Sequence, residues 1–384
     1  MAVSVGQVEQ LIEKLAPRAW AEDWDNPGLL VGSSAQRVRK ILLTLDVTPE
    51  VVEEAVKENA ELIVSHHPLL FKPLKNLRMD NPSALIPLSL FRNGISCYAA
   101  HTNLDQSVLS SSLTFADMLQ LEKVEFLDMT AAEKMVKLVT FVPEESADAL
   151  RLALAAEGVG SGITDGEHSN NYTECFYQTK GEGMFRALVG AMPAIGKIGE
   201  LTRVPEIRME SIVEERALSR AVKALQKAHP YEEPAYDIIP LQNTGKARGY
   251  GAVGLLLEPR ALGDIWQEFI TRLKNHYTAY DFSSVRLAGD PKKKIRKIAI
   301  LNGNGSSFVQ KAAFKGADLY IVGEFNYHNV LECLESGMAV GELGHFLSEI
   351  PMVHALYDYI RADRTMTDAE LIISTMNKVP WLKW

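Results

Sequence analysis

Two buried strands joined by one amphipathic helix are the feature that most constrains the fold of this chain. The apolar runs 40–45 and 62–65 have the composition of buried strands. Between them Thr48 is a predicted helix N-cap, Pro49 occupies the first helical position, and valines follow at helical spacing. A strand–helix–strand unit requires a parallel pair and a right-handed crossover. The sequence therefore predicts an α/β fold.

A second stretch of the chain has the same order of elements. The run 296–301 resembles 39–44, and the run 316–324 resembles 59–66 with one residue inserted. Buried strands also resemble one another by chance, which is the alternative interpretation. The matching order of strand, helix, strand, helix and glycine-led strand favours duplication. We therefore predict two related βαβ-containing halves that form one domain, with their strand ends at a shared cleft.

The region between these halves has a different composition and pattern. A chain of 384 residues exceeds the size of one ordinary core, so two or three domains are expected. From 130 to 243 the order β–α–β occurs twice, which is typical of a ferredoxin-like α+β module, and the glycine-containing segment 244–251 is a predicted exit linker. We predict a main domain formed by 1–129 and 244–384, interrupted by an inserted domain at 130–243.

Composition argues against several classes of partner. A net charge of −9 and a pI near 5.6 disfavour a nucleic-acid binder and an anionic membrane surface. No apolar run approaches the roughly 18 residues of a spanning helix, and the N-terminal segment has amphipathic spacing rather than a signal-peptide core. Three widely separated cysteines without a CxxC pair fit a reducing compartment. We expect a soluble cytoplasmic protein.

Histidines and carboxylates follow strands at the predicted mouth of the sheet. His66 and His67 directly follow one strand, and Asp105 lies just beyond the next. In the second half, His345 and Glu349 have the i,i+4 spacing that places two side chains on one helix face. A surface turn is the alternative for the histidine pair, and a solvated helix face is the alternative for the i,i+4 pair. Imidazole and carboxylate in this arrangement predict a metal site.

These five side chains form a nitrogen and oxygen donor set without cysteine. Such donors suit Zn, Mn, Fe or Ni rather than a structural thiolate zinc site. Five ligands exceed what one catalytic ion requires and match two ions about 3.5–4 Å apart, bridged by a carboxylate. We therefore predict two divalent metal ions per chain.

Several motifs in this order resemble the NIF-three-like family, whose members carry names such as dinuclear metal centre hexameric protein and GTP cyclohydrolase I type 2 homologue. The motifs are Trp-Asp-Asn at 24–26, Leu-Asp-Val-Thr-Pro at 45–49, Ser-His-His-Pro at 65–68, His-Thr-Asn-Leu-Asp at 101–105, Tyr-His at 327–328 and Gly-His at 344–345. His-Pro-Tyr-Glu-Glu at 229–233 resembles the long version of the family, so the resemblance covers nearly the whole chain.

The resemblance implies a metal centre, an assembly and an insert type. Carried over by motif, the metal ligands are His66, His67, Asp105, His345 and Glu349. The implied insert is a PII- and CutA-like trimer-forming domain, and the implied assembly is a toroidal homohexamer. The chain departs from the family in the loop 106–112, which lacks the usual Gly-Gly, and in Gly-Glu at 323–324, where many members have Gly-Asp. Neither departure removes an implied ligand.

Other polar residues are candidates for supporting roles, with a structural role as the alternative for each. Glu324 and His328 could serve as general base or acid toward water at the metals. Asp46 and Asn26 could hold metal ligands in place. His101 could orient a ligand or a water molecule, and a hydrogen-bonded core histidine is the alternative.

A glycine-rich loop between a strand and a helix is a candidate phosphate site. The backbone N–H groups of Gly303, Gly305 and Ser306 could cradle a phosphate. The loop lacks the Walker lysine and the full dinucleotide fingerprint, so a plain tight turn is the favoured interpretation.

The leading functional prediction is a metal-dependent hydrolase. The family name implies attack on the imidazole ring of GTP, so we expect a nucleotide or another phosphorylated small molecule as substrate. The alternative is a non-enzymatic metal-binding scaffold or regulator whose insert senses a small molecule or a partner.

Overall fold

A computed structural model describes residues 2–161 and 172–381, apart from the side chain of Lys246. In chain order its strands are β1 (Val3–Ser4), β2 (Gly28–Val31), β3 (Arg37–Val38), β4 (Lys40–Thr44), β5 (Leu62–Ser65), β6 (Ser96–Ala99), β7 (Glu122–Glu125), β8 (Asp128–Pro143), β9 (Tyr177–Arg186), β10 (Leu201–Glu214), β11 (Tyr236–Tyr250), β12 (Ala252–Ala261), β13 (Arg286–Ala288), β14 (Lys294–Asn304), β15 (Leu319–Glu324), β16 (Ala339–Glu342) and β17 (Glu370–Ile373).

The helices connect these strands. They are α1 (Val5–Leu15), α2 (Pro49–Lys57), α3 (Pro82–Arg92), α4 (Thr102–Asp105), α5 (Ser111–Met118), α6 (Ala147–Ala156), α7 (Glu215–Ala228), α8 (Leu262–His276), α9 (Val309–Phe314), α10 (Tyr327–Glu335) and α11 (His345–Ala362). Short 3-10 segments occur at Arg18–Trp20, Glu144–Ser146, Ser306–Phe308 and Arg364–Met366. Within the described ranges, none of the helices is long and apolar enough to cross a membrane.

The chain divides into two units. Unit 1 comprises Met1–Met129 and Gly249–Trp384, and unit 2 comprises Thr130–Arg248. Residues 162–171 of the predicted insert lie outside the described residues.

Unit 1 contains two large mixed sheets. The strand orders are β17-β4-β5-β6-β2 and β13-β16-β15-β14-β12-β7. Strands β4, β5 and β6 run parallel, as do β14, β15 and β16. Strands β2, β13 and β12 pair antiparallel at the margins of these parallel sets. The predicted α/β fold is confirmed.

The first βαβ unit forms for the reasons that its sequence indicates. The Thr48 side chain accepts a hydrogen bond from the Val51 backbone N–H, and Pro49 lies in the first turn of α2. The apolar face of α2 buries Val51, Val52 and Ala55. Because that face packs on β4 and β5, the crossover returns the chain to the same sheet, beside its parallel partner.

Both faces of the first sheet are buried, which explains its continuous apolar strands. Ile41 and Leu43 of β4 belong to a core that also contains Ile298 and Ile300 of the second sheet. Leu42, pointing the opposite way, packs with the apolar face of α2. Each fully buried aliphatic side chain contributes roughly 1.5–3 kcal/mol relative to an exposed one. Helix α11 contacts β14 and β15 of one sheet and β4 and β17 of the other.

Unit 2 contains a four-stranded sheet with the order β11-β8-β10-β9. Strand β10 pairs antiparallel with both β8 and β9. Helix α6 follows β8 and helix α7 follows β10. Leu150 and Leu225 from these helices share a core with Ile207 and Met209 of β10. The helices therefore cover the sheet face toward which these two β10 side chains point.

The predicted exit linker is instead part of a strand. Residues 244–250 continue β11, which ends at Tyr250. A Cβ atom on Gly249 would lie 2.2 Å from the Asp128 carbonyl oxygen, and one on Gly245 would lie 2.9 Å from Met135 Sδ. These glycines permit a close approach between neighbouring strands, whereas the sequence pattern suggests loop flexibility.

Candidate metal centre

Four histidines of unit 1 converge at the carboxyl ends of parallel strands. His66 and His67 follow β5, His101 follows β6, and His345 begins α11. The ring centroid of His66 lies 5.0 Å from that of His67 and 5.1 Å from that of His101. The His67 ring lies 5.5 Å from His101 and 5.4 Å from His345. We call these four rings the histidine cluster.

The His66 ring is fixed by a backbone carbonyl. Its Nδ1 lies 2.8 Å from the Ala100 oxygen, which can only accept, so Nδ1 carries the proton and Nε2 carries a lone pair. Among the described residues, this buried Nε2 has no hydrogen-bond partner, and the Asp105 Oδ1 lies 3.8 Å away. Burial lowers the pKa of His66 to about 3, which keeps the ring neutral at pH 7. A neutral imidazole with a buried, unsatisfied lone pair fits a metal ligand.

The Glu349 carboxylate lies between His67 and His345 of the histidine cluster. Its Oε2 lies 3.0 Å from His67 Nε2 and 2.9 Å from His345 Nε2. Burial lowers the pKa of His67, but hydrogen bonds to Asp46 and Glu349 outweigh burial and raise that pKa to about 10. For His345 burial again lowers the pKa, and the Glu349 carboxylate raises it to about 9. His67 and His345 therefore carry protons on nitrogens that could ligate a divalent cation, so binding such an ion here would release protons.

The Asp46 carboxylate orients His67 from the side opposite Glu349. Asp46 Oδ1 lies 2.8 Å from His67 Nδ1, the geometry of a carboxylate–histidine pair behind a metal ligand. This contact places Asp46 in the supporting role for which the sequence makes it a candidate.

The Asp25 carboxylate orients the His101 ring in the same way. Its Oδ1 lies 2.8 Å from His101 Nδ1, while the Thr102 hydroxyl and backbone N–H both donate to Oδ2. The Asp25 side chain is fully buried. Burial raises the pKa of Asp25, but the hydrogen bonds from His101 and Thr102 outweigh burial and lower it to about 2. Asp25 is therefore an ionised support that directs His101 Nε2 away from itself.

The supporting role proposed for Asn26 from sequence falls to its neighbour Asp25. The Asn26 side-chain amide donates to the Leu70 carbonyl at 2.6 Å, so it fixes the loop that follows the histidine pair. Both residues belong to the Trp-Asp-Asn motif, which marked the right place in the chain but not which side chain turns inward.

Asp105 lies at the end of α4 against the second sheet. The Asn302 amide donates to Asp105 Oδ1 at 2.6 Å, and the Ser112 hydroxyl donates to Asn302 Oδ1 at 2.8 Å. Burial, reinforced by the charge of Glu349, raises the pKa of Asp105 to about 7. Ser112 is the last residue of the segment 106–112 that departs from the family pattern; it lies in α5 and supports the Asp105 side chain through Asn302.

Gly303 makes room for Glu349. A Cβ atom at this position would lie 2.5 Å from Glu349 Oε1, and the φ of +66° belongs to the left-handed region that favours glycine. The Gly303 N–H donates to Ser348 Oγ at 2.9 Å. This glycine is therefore required by the packing around a candidate metal ligand.

The predicted phosphate cradle has no free donors in this conformation. The backbone N–H groups of Gly303, Gly305 and Ser306 donate within the protein, to Ser348 Oγ at 2.9 Å, the Glu324 carbonyl at 3.2 Å and Asn304 Oδ1 at 3.0 Å. These contacts agree with the tight turn that the sequence favours over a phosphate cradle.

The two predicted acid–base residues have different surroundings. Glu324 ends β15, and its Oε1 lies 3.3 Å from His345 Nδ1. His328 is exposed in the first turn of α10, where its ring lies edge-on to Tyr327. Among the described contacts of His328, none is with the histidine cluster. The structure therefore brings Glu324 to the cluster and leaves His328 outside it.

A cleft of about 1370 Å³ opens beside the cluster. Its lining combines cluster residues with cationic and aromatic side chains, among them His67, His345, Glu324, Arg286, Lys378 and Trp381.

The segment that carries Lys378 and Trp381 is anchored at Asn377. The buried Asn377 Oδ1 accepts from the Thr44 hydroxyl at 2.8 Å and from the Leu45 backbone N–H at 3.0 Å. This anchor lies at the end of β4, so the segment forms one wall of the cleft.

Two groups of side chains in the cluster could each hold a metal ion. The donor atoms within each group lie within 4.8 Å of one another, and the groups are His66, His67 and His101, and His67, His345 and Glu349. His101 is thus a potential ligand, whereas its sequence context predicts only a supporting role. Its position directly after a buried strand, like that of His66, was the available signal.

The fold and the cluster together define an α/β protein with a histidine and carboxylate site suited to metal binding. The family model described as Duf34/NIF3 (NGG1p interacting factor 3) matches residues 3–380, and the chain belongs to this family. The resemblance inferred from the motifs is therefore confirmed.

Two relatives and one solved structure match over most or all of the chain. A Halalkalibacterium halodurans protein named GTP cyclohydrolase 1 type 2 homolog is 36% identical over 384 residues, covering 99% of each chain. A Bacillus subtilis protein of the same name is 34% identical and covers 91% of each chain. The crystal structure of a Bacillus cereus protein related to NIF3 superposes with a TM-score of 0.84 at 33% identity and covers 100% of both chains.

Proposed function

We propose that this chain is a metal-dependent hydrolase that holds two divalent ions at the histidine cluster. The observation that carries the proposal is the buried Nε2 of His66. This neutral nitrogen carries a lone pair, has no described hydrogen-bond partner and lies beside other potential ligand atoms. The side chains that would hold the ions are His66, His67, His101, Asp105, His345 and Glu349. Zn, Mn, Fe and Ni suit this donor set.

The side chains around the cluster support hydrolysis. Divalent ions at such a site supply Lewis acidity and lower the pKa of water. Asp25 and Asp46 hold two of the imidazoles in a fixed orientation, which limits reorganisation during reaction. Glu324 lies on the cleft side of His345, where its Oε1 can accept a proton from water or substrate. We propose Glu324 as the general base rather than His328, whose described contacts do not include the histidine cluster.

The cleft supports a nucleotide or another phosphorylated small molecule as substrate. Lys378 and Arg286 offer positive charge for a phosphate, although Arg286 also pairs with Glu342 at 2.5 Å. Trp381 and Tyr280 offer aromatic faces to a planar ring. The relatives named GTP cyclohydrolase 1 type 2 homolog agree with this substrate class.

Three organisational features are part of the proposal. We propose that unit 2 is a ferredoxin-like insert, which its strand order and the helices after β8 and β10 support. We propose that the halves of unit 1 arose by duplication, since each sheet contains three parallel strands in sequence order. The family resemblance supports a toroidal homohexamer, which a sedimentation mass of six chains would test. The three widely separated cysteines support a cytoplasmic location.

A non-enzymatic metal-binding regulator is the second candidate function. A cleft of about 970 Å³ within unit 2 favours it, because that cleft offers a small molecule a place of its own.

Metal analysis and activity together test the main proposal. Elemental analysis should find about two divalent ions per chain, and His66→Ala should lose most of them. The metal-loaded protein should hydrolyse a compound from a panel of GTP, other nucleotides and sugar phosphates. Glu324→Gln should lower turnover while metal content stays constant, whereas the matched control Glu335→Gln, an exposed charge on α10, should change neither.

The two candidate functions give different results in this experiment. Full metal content with no turnover of any compound would refute the hydrolase and favour the regulator. Unchanged metal content in His66→Ala would refute the site itself.

A further inference from the structure

The cleft of unit 2 lies on the sheet face opposite its helices. Ile207 and Met209 of β10 pack with the helices, so the alternating residues Glu206 and Arg208 point to the other face. Both of these residues line the cleft, together with Tyr231 from the loop before β11. All lining residues belong to unit 2, so this cleft is separate from the metal centre.

A buried carboxylate is the central feature of this cleft. Only 9% of Glu206 is exposed, and the Tyr231 hydroxyl donates to its Oε1 at 2.8 Å. Among the described residues, Glu206 has no cationic partner, and its Oε2 has no hydrogen bond. A Cβ atom on Gly183 would lie 2.1 Å from Oε2, so this glycine keeps open the space that the carboxylate occupies. Burying a carboxylate without a countercharge is unfavourable unless a ligand supplies one.

The cationic side chains of the lining each have a described polar partner. Lys180, Arg186 and Arg208 each make a described polar contact, with Glu144 at 2.5 Å, with the Gly199 carbonyl and with Glu210 at 2.9 Å, respectively. The acidic side chains Glu232 and Glu233 also line the cleft. Lys180 and Arg208 pair with carboxylates, whereas the Gly199 carbonyl is neutral and leaves the charge of Arg186 uncompensated. Because Glu206, Glu232 and Glu233 outnumber this one cation, the net charge of the lining is negative.

Aromatic rings border the same space. The Phe185 and Tyr231 ring centroids lie 5.7 Å apart. A third lining ring, that of Phe141, already has the Arg208 guanidinium over it, 5.8 Å from its centroid. Aromatic faces attract organic cations, and a carboxylate forms its strongest hydrogen bonds with charged donors.

We propose that the unit 2 cleft binds a small organic ammonium compound, with the ammonium group on Glu206 and the apolar part against Phe185 and Tyr231. The cleft discriminates by charge, since an anion of the same shape meets Glu206 without compensation. This makes unit 2 a ligand-binding unit in its own right, whether or not the metal centre is a hydrolase.

Calorimetric titration of the full chain tests the charge requirement. The probes are phenethylammonium and phenylacetate, which share an aryl ring and differ in the sign of their charge. Phenethylammonium should bind saturably and phenylacetate should not. Glu206→Gln should weaken phenethylammonium binding at least tenfold. The control Glu182→Gln removes an equal charge from the same cleft, but this exposed residue is paired with Arg203, so binding should stay unchanged.

A second variant keeps the proposal testable if Glu206→Gln fails to fold. Gly183→Ala should also weaken binding, because the added methyl group would displace the Glu206 carboxylate. Thermal unfolding of each variant separates loss of fold from loss of binding. The proposal is overturned if wild-type protein shows no saturable binding of phenethylammonium, if phenylacetate binds equally well, or if Glu206→Gln and Glu182→Gln behave alike.

Discussion

Substituting Asp25 by Asn tests whether the orientation of His101 matters for metal binding. The exchange preserves shape but removes the charge that accepts hydrogen bonds from His101 and Thr102. An amide can also turn its NH₂ toward His101 Nδ1, which would favour the wrong imidazole tautomer. Asp25→Asn should therefore weaken metal binding while leaving every candidate ligand in place.

The pKa of Asp25 sets the size of the effect. It falls from 3.8 to about 2 in the folded protein. At about 1.4 kcal/mol per pKa unit, this corresponds to roughly 2–3 kcal/mol of preference for the charged form. Loss of a residue behind a metal ligand typically costs about 10–100-fold in metal affinity, which is a similar free energy. We expect Asp25→Asn to lower the zinc affinity by this factor and the metal-free unfolding free energy by about 2 kcal/mol.

The pH dependence of the same group has a defined sign. Because the folded-state pKa of Asp25 lies below its unfolded value, its stabilisation is present above pH 3.8 and is lost as the pH falls through about 2. In Asp25→Asn this part of the acid transition should disappear. Chelator competition measures zinc affinity, and urea unfolding at several pH values measures stability.

The matched control is Asp23→Asn. Asp23 is exposed two residues away, so its substitution makes the same charge change without touching His101. Equal zinc affinities for Asp25→Asn and Asp23→Asn would refute the idea that a buried carboxylate positions this ring.

Three further predictions concern the same centre. Glu349→Gln should release most bound metal. In the metal-free protein the same substitution should lower the pKa of His67 and the pKa of His345, as measured by NMR titration. Unchanged imidazole pKa values would contradict the described contacts. Gly303→Ala should destabilise the protein by about 1–3 kcal/mol in urea unfolding and reduce metal content, because its Cβ would meet Glu349 Oε1, whereas Gly316→Ala, also at positive φ but with open space around it, should leave metal content unchanged. Removal of metal by a chelator should lower the melting temperature. Restoring the free metal concentration to about 100 times the dissociation constant should raise the free energy of unfolding by about 2.7 kcal/mol. A melting temperature that does not respond to metal would argue against binding to the folded state.

Local patterns were sufficient to predict several parts of the fold. The cap at Thr48, the apolar face of α2 and the buried strands β4 and β5 all depend on neighbours within a few positions. For the same reason the sequence placed His66 and His67 at a strand end. These features follow from rules of spacing, so one chain is enough to read them.

Spacing rules could not predict the contacts between segments that are distant in sequence. Asp25 and His101 are 76 positions apart, and nothing in either segment specifies that they meet. The sequence makes Asn26 a candidate support with a structural role as the alternative, and the structure places Asp25 against His101 instead, because adjacent residues in an irregular loop can point in different directions. The partners of the loop at 303–306 were hidden for a related reason, since its N–H groups donate to remote residues such as Ser348 and Glu324.

Glycine was the most ambiguous residue type in the sequence. Gly245 and Gly249 suggest a flexible linker, yet they allow strands to pack closely. Gly303 suggests a phosphate loop, yet it clears space for a carboxylate side chain. In each case the absent side chain matters because of a neighbour that only the folded chain supplies.

The position of α11 has a consequence for the kinetics of metal exchange. This helix carries His345 and Glu349 in its first turns, and its later turns lie in the core shared by both sheets. Withdrawing the buried Glu349 side chain, only 5% exposed, from an ion would require the helix to shift against both sheets, an opening far rarer than the motion of a surface loop. The dissociation rate of a bound ion should therefore decrease as the hydrogen-exchange protection of the α11 amides increases. Packing in the interior of unit 1 would then set the rate of metal release.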